Sequence, residues 1–183
     1  MTGREWQKDV LRFWFEELTA DDWFAVRKDL DDTIRERFEA LHKDFSVAIP
    51  TEAFLAPDSA LAATIVFDQF SRNIFRGTAK AFASDRLAVA IAANALASKF
   101  DTQLPVERKH FLYMPFMHSE NLADQKRCVA LFEALGGDSV KYAVEHRDII
   151  ERFGRFPHRN RALGRETTEE ERAFLASHEG FGQ

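Results

Sequence analysis

The chain has 183 residues, 45% of them hydrophobic and 30% charged, with one cysteine and a formal net charge of −5. A chain of this length buries roughly two-thirds of the surface its unfolded form exposes. Disordered, collagen-like and disulfide-scaffold classes are therefore excluded. Phenylalanine is the oddity of the composition, with 18 copies.

No apolar run approaches the ~18 residues of a membrane span, and Met1 to Trp6 lacks the basic start and apolar stretch of a signal peptide. With Cys128 alone, the expectation is a cytoplasmic protein with no internal disulfide. Charge is uneven: residues 1–64 carry net −6, residues 65–165 net +5 and residues 166–183 net −4. The basic middle holds six arginines and no lysine between His146 and Arg165. Arginine suits planar, bidentate contact with carboxylate or phosphate. These arginines are expected either to pair with the acidic end segments or to hold an anion. An acidic domain without a basic stripe is a poor nucleic-acid binder.

In chain order, helical periodicity dominates and no strand alternation is present. Trp6, Val10, Phe13 and Trp14 share one face of a first helix, followed by Trp23-Phe24 in a loop. A second runs from Asp29 to Phe45 through Ile34, Phe38 and Leu41. Pro57-Asp58-Ser59 opens a third, capped by Asp or Ser, with Leu61, Ile65, Phe67, Phe70 and Ile74 inward and Gly77 as its end. Ser84-Asp85 caps an alanine-rich helix from Arg86 to Lys99. Pro105 starts a short helix that Pro115 interrupts, and Ser119 caps the next, which stops at Gly136-Gly137. Asp138 caps a helix whose inner face is Tyr142, His146, Ile149, Ile150 and Phe153, and Gly154 closes it. Thr167 to Glu171 carries overlapping capping boxes before a last helix with Phe174-Leu175 inward. Leu87–Ile91 with Ala95-Leu96 resembles Arg127–Leu131 with Ala134-Leu135, roughly 40 residues apart, a spacing found in helix-pair solenoids.

Three polar blocks interrupt the aromatic residues. In the first, Asp68 and Arg72 stand four apart with the acid leading, and Gln69 and Asn73 form a second pair beside them. In the second, His118 follows an apolar run at a predicted helix start, where free amides favour an anion, and Glu120 is either a general base or a first-turn stabiliser. In the third, His146 lies on an apolar face, while Arg155, His158, Arg159 and Asn160 project from a proline-containing loop. The chain has no His-Glu-x-x-His, no paired cysteine, no phosphate loop and no Gly-x-Ser-x-Gly, so neither metal nor cofactor is expected. Cys128 is expected to pack as a small hydrophobe.

The strings Val10–Phe15, Phe67–Thr78, Phe111–Glu120 and His146–Arg165 resemble the signature blocks of a mostly bacterial family called domain of unknown function 924. The resemblance covers about residues 10–175, with Ser71 and Phe116 standing where Pro and Leu would be expected. It implies an all-α fold similar to tetratricopeptide-like helical arrays and brings no established activity.

The expectation is one helical domain over residues 1–183, with about eight helices. Its groove would be lined by Asp68, Gln69, Arg72, Asn73, His118, Glu120, His146, Arg155, His158, Arg159 and Asn160, and would accept an anionic small molecule or a peptide carboxylate. The rival readings are an enzyme with His118 or His146 as general base, oriented by Glu120 or Asp68, and a structural polar network with a protein contact elsewhere.

Overall fold

A computed structural model describes residues 5–178, and among these the domain is all-helical. Its axis is the stretch Ser59–Ile74, where every residue is buried. It comprises most of α4 (Pro57–Ile65), a π-helical turn (Val66–Phe70) and α5 (Ser71–Ile74). A helix apolar on all sides must be covered on all sides. The cover comes from α1 (Trp6–Arg12), α3 (Lys28–Val47), α6 (Asp85–Ala97) and α7 (Val106–His118), which pack against it. α8 (Leu122–Leu135) packs on α7, and α9 (Val140–Phe153) on α8. Two short helices complete the set: α2 (Ala20–Trp23), where a loop was expected, and α10 (Glu169–Leu175).

Phenylalanine fills the axis surroundings. Phe38 stacks on Phe70 at 4.5 Å, and Phe13 and Trp14 meet Phe70 at 6.0 and 5.7 Å. Such pairs contribute roughly 0.5–1.5 kcal/mol each beyond area burial. Cys128 is buried in the same core, and burial pushes its thiol up to about 12.

Several helix ends differ from expectation. α4 begins at Pro57 with Ala56 at the cap position and no side-chain cap, so neither Asp58 nor Ser59 caps it. α7 continues through Pro115 to His118. Asn121, not Ser119, caps α8 by accepting from the amides of Ala123 and Asp124. α9 follows Ser139 without a side-chain cap, and Tyr142 is half-exposed, leaving Ala143, His146, Ile149 and Ile150 inward. Gly154 closes α9 at φ +68°, a conformation that favours glycine. The Thr168–Glu171 capping box forms as expected.

Candidate functional site

Polar side chains on a fully buried helix need partners, because an unpaired one costs roughly 1–3 kcal/mol. Those of the central axis reach in different directions. Asp68, on the π-helical turn, accepts from Gln69 at 2.6 Å and meets Nδ1 of His118 at 2.7 Å. Ser71 meets Nε2 of His42 at 2.7 Å. Arg72 donates to the Ala81 carbonyl and pairs with Asp85 at 2.8 Å. Asn73 donates to Asp31 at 2.8 Å, which also holds Arg76. In place of the expected Asp68–Arg72 and Gln69–Asn73 side-chain pairs, Asp68, Arg72 and Asn73 reach partners on other segments while Gln69 donates to Asp68 on the same turn. A π turn carries an extra residue, which rotates the positions after it relative to α-helical spacing, and such turns are frequent at functional sites.

His118 is the last residue of α7 rather than the start of a helix, so the free groups around it are carbonyls, not amides. The fully buried Gln125 donates to two of them, Met117 O at 2.6 Å and Ser119 O at 2.7 Å, which fixes the backbone on both sides of His118. Burial opposes ionisation of Asp68, but His118, Arg72 and Gln69 outweigh it and hold the carboxyl below its ordinary value. The ring of His118 lies 6.3 Å from that of His146. His146 is buried, with Nδ1 2.7 Å from the Tyr142 carbonyl. Burial and the neighbouring His118 pull its pKa down to about 3.

From His146 the cluster continues through Phe156, at 5.6 Å, to Arg159. Arg159 is turned inward, 3% exposed, rather than projecting from its loop. Its guanidinium stands 4.5 Å from the centroid of Phe156 and 4.6 Å from that of Phe82, and it donates to Asp85 at 3.1 Å. Burial and the charge of Arg72 pull its pKa down to about 10, against Asp85, Glu120 and Asp68. Asp85 thus faces two guanidinium groups. Arg159 also walls a cavity of about 560 Å³ together with Phe82, Asp85, Arg86, Glu120 and Asp124.

The remaining candidates lie in a strap that ties the C-terminal segment down. Glu120 receives both terminal nitrogens of Arg165, at 2.8 and 3.0 Å, and the Phe156 amide at 2.8 Å. Burial opposes its ionisation, but Arg165 and that amide prevail and hold it below its ordinary value. Arg155 grips Glu171 at 2.6 and 2.8 Å. This contact, helped by the Thr168 amide and Asn160 against burial, pulls Glu171 down to about 2. Asn160, 1% exposed, donates to Glu171 and accepts from Arg165. His158 lines a separate, smaller cavity with Arg72.

The structure therefore joins Asp68, Gln69, Arg72, His118, His146 and Arg159 in one cluster and places Arg155, Asn160 and Glu120 in the strap. Asn73 belongs with Asp31 on α3. Sequence patterns missed Asp85, Phe82, Arg165 and Gln125. Asp85 reads as a helix cap, and nothing local in the sequence marks Phe82 among 18 phenylalanines. Among the described residues no group of three or more His, Cys, Asp or Glu is placed to hold a metal, and no helix is long and apolar enough to cross a membrane.

A family model described as a bacterial protein of unknown function, DUF924, matches residues 10–179. The chain belongs to the DUF924 family. A solved structure, that of the protein of unknown function ATU0120 from Agrobacterium tumefaciens, is 40% identical with a TM-score of 0.89. The match covers 94% of this chain and 97% of that one. No curated protein matches the chain.

Proposed function

We propose that this DUF924 chain binds an anionic small molecule, or the carboxylate of a peptide, in the cavity walled by Arg159. The observation that carries this reading is the state of that arginine. It is almost fully buried, shares its carboxylate with Arg72, and has no partner at Nε among the described residues. A buried cation held this weakly is costly, and an anion in the adjoining cavity offsets the cost. The apolar Phe82 and Val89 beside charged Asp85 and Glu120 suit a ligand with both an apolar body and polar groups. The successive packing of α6 on α7, α7 on α8 and α8 on α9 supports reading them as a tetratricopeptide-like array.

Thermal unfolding against a panel of anionic metabolites tests the reading. A ligand at ~100 times its dissociation constant adds about 2.7 kcal/mol, a rise of roughly 5–10 °C for a chain of this size. Arg159→Met should abolish the rise. No rise with any anion, or an equal rise in the variant, overturns the proposal.

A second reading has one observation in its favour: the Asp68–His118 contact has the geometry by which a carboxylate orients a general base. His118 directly precedes Ser119 and Glu120 on the cavity wall. In that reading His118 is the base and Asp68 its orienting partner. Glu120, committed to Arg165, and His146, neutral down to about pH 3, are weaker choices. Turnover of a ligand found by the thermal screen, lost in His118→Gln with ligand binding retained, favours catalysis; retained turnover excludes it.

A further inference from the structure

Asp85, Glu120 and Asp124 are the carboxylates in the wall of the Arg159 cavity, and two of them are taken. Asp85 is shared by Arg72 and Arg159, and Glu120 gives both oxygens to Arg165. Asp124, in the first turn of α8, forms no ion pair among the described residues. Its Oδ2 accepts from the Ser119 hydroxyl at 2.7 Å, which fixes the carboxylate. Its Oδ1 makes no hydrogen bond among the described residues and is not buried, so a solute can reach it. The nitrogens of Arg159 divide in a similar way. Nη1 is on Asp85 and Nε is buried, whereas Nη2 has no partner among the described residues and keeps accessible surface.

One cavity wall thus presents an open donor on a buried cation and an open acceptor on a carboxylate, and the two do not pair with each other. A purely anionic ligand at Arg159 would leave the charge of Asp124 unanswered and be repelled by it. A purely cationic one would meet the reverse. We infer that the ligand of this cavity is a zwitterion, an amino acid or short peptide whose carboxylate meets Nη2 of Arg159 and whose ammonium group meets Oδ1 of Asp124. This rests on the anion-binding reading of Arg159 and adds a second charge to it. Arg86, the other cation of the wall, is exposed, so solvent and salt screen it and Arg159 is the stronger seat for the carboxylate. Phe82, Val89 and Leu163 offer the rest of the ligand an apolar surface. The cavity, at about 560 Å³, has the size of a small-molecule site.

Isothermal titration calorimetry at neutral pH and constant ionic strength provides the test. The probes are leucine, leucyl-leucine and ε-aminocaproate, each paired with its counterpart lacking the ammonium group: isocaproate, isocaproyl-leucine and caproate. At least one zwitterion should bind about tenfold or more tightly than its counterpart, as a charge-assisted hydrogen bond provides. In Asp124→Asn, whose amide oxygen can still accept from Ser119, that preference should fall below about threefold. Asp124→Ser serves as the second variant if Asp124→Asn fails to fold. Arg159→Met should weaken both members of the pair. Equal binding of every zwitterion and its counterpart overturns the inference, as does a preference that survives loss of the Asp124 carboxylate. In either case, carboxylate binding that still depends on Arg159 leaves the anion site standing. Absence of binding by all six probes overturns the zwitterion, and the anion site is then decided by the wider metabolite panel.

Discussion

Nδ1 of His118 lies 2.7 Å from Oδ1 of Asp68, a contact between the end of α7 and the π-helical turn of the central helix. Asp68 is fully buried, so this imidazole and the Gln69 amide supply its side-chain hydrogen bonds. The contact is at once a clamp between two helices and, among the described residues, a closer acid–imidazole contact than that of His178 with Glu145, at 3.0 Å.

Removing either partner should therefore show strong coupling. Asp68→Asn is expected to destabilise the fold by about 3 kcal/mol, as when a buried charge loses its match. A double-mutant cycle with His118→Gln should give an interaction of about 1–3 kcal/mol by urea unfolding. Additive effects within ~0.5 kcal/mol would mean that the two side chains do not act as a pair.

Acid should weaken the protein from about pH 6.5 downward through His146. The pKa of His146 is lowered from 6.5 to about 3, so below pH 6.5 the unfolded chain takes up a proton that the folded one refuses. Its contribution is fully present above pH 6.5 and declines as pH falls, at about 1.4 kcal/mol per unit, until the folded pKa is reached. Burial lowers His42 and His110 too, which adds to the slope in the same direction. His146→Asn, whose amide can still reach the Tyr142 carbonyl, should flatten the stability profile between pH 6 and 4 by roughly one proton. An unchanged slope would contradict a neutral, buried His146.

Asn160 and Glu171 should behave as structural residues of the strap. Asn160→Ala removes the bonds to Glu171 and Arg165 from a buried position, and Glu171→Gln breaks the grip of Arg155. Each is expected to cost about 2 kcal/mol, or roughly 4–8 °C in Tm for a chain of this length. Retention of the wild-type Tm in Asn160→Ala would instead free this side chain for a ligand role.

Arg159→Met should separate stability from binding. Replacing a buried, poorly matched cation by an apolar side chain of similar length is often neutral or stabilising. Denaturant unfolding is expected within about 1 kcal/mol of wild type, with Asp85 still paired to Arg72. A loss above ~3 kcal/mol would mark Arg159 as a packing residue rather than a ligand contact.

The helices were legible because their signals are local. Apolar periodicity marked α3, α8 and α9, glycines marked the ends at Gly136 and Gly154, and Thr168 with Glu171 announced the last capping box. Local signals also misled. Ser119 has the chemistry of a cap, yet Asn121 takes that position, and this moved His118 from a helix start to a helix end. Pro115 removes one backbone donor, but burial of Phe111, Phe116 and Met117 outweighs that loss and α7 continues.

Sequence alone determined that this chain is one helical domain rich in phenylalanine, with arginines and histidines concentrated after residue 65, because composition and periodicity need no partner to be read. Which polar residues meet was decided only in three dimensions. The π turn at Val66–Phe70 sets Asp68 facing His118 while Arg72 faces Asp85. The loop after Gly154 folds Arg159 and Asn160 inward, where the sequence pattern had them projecting. Asp85 joins Arg159 across 74 positions of chain, and Glu120 joins Arg165 across 45. No window of neighbouring residues contains such a pairing, since it exists only once packing buries these polar groups and leaves a partner distant in the chain within reach.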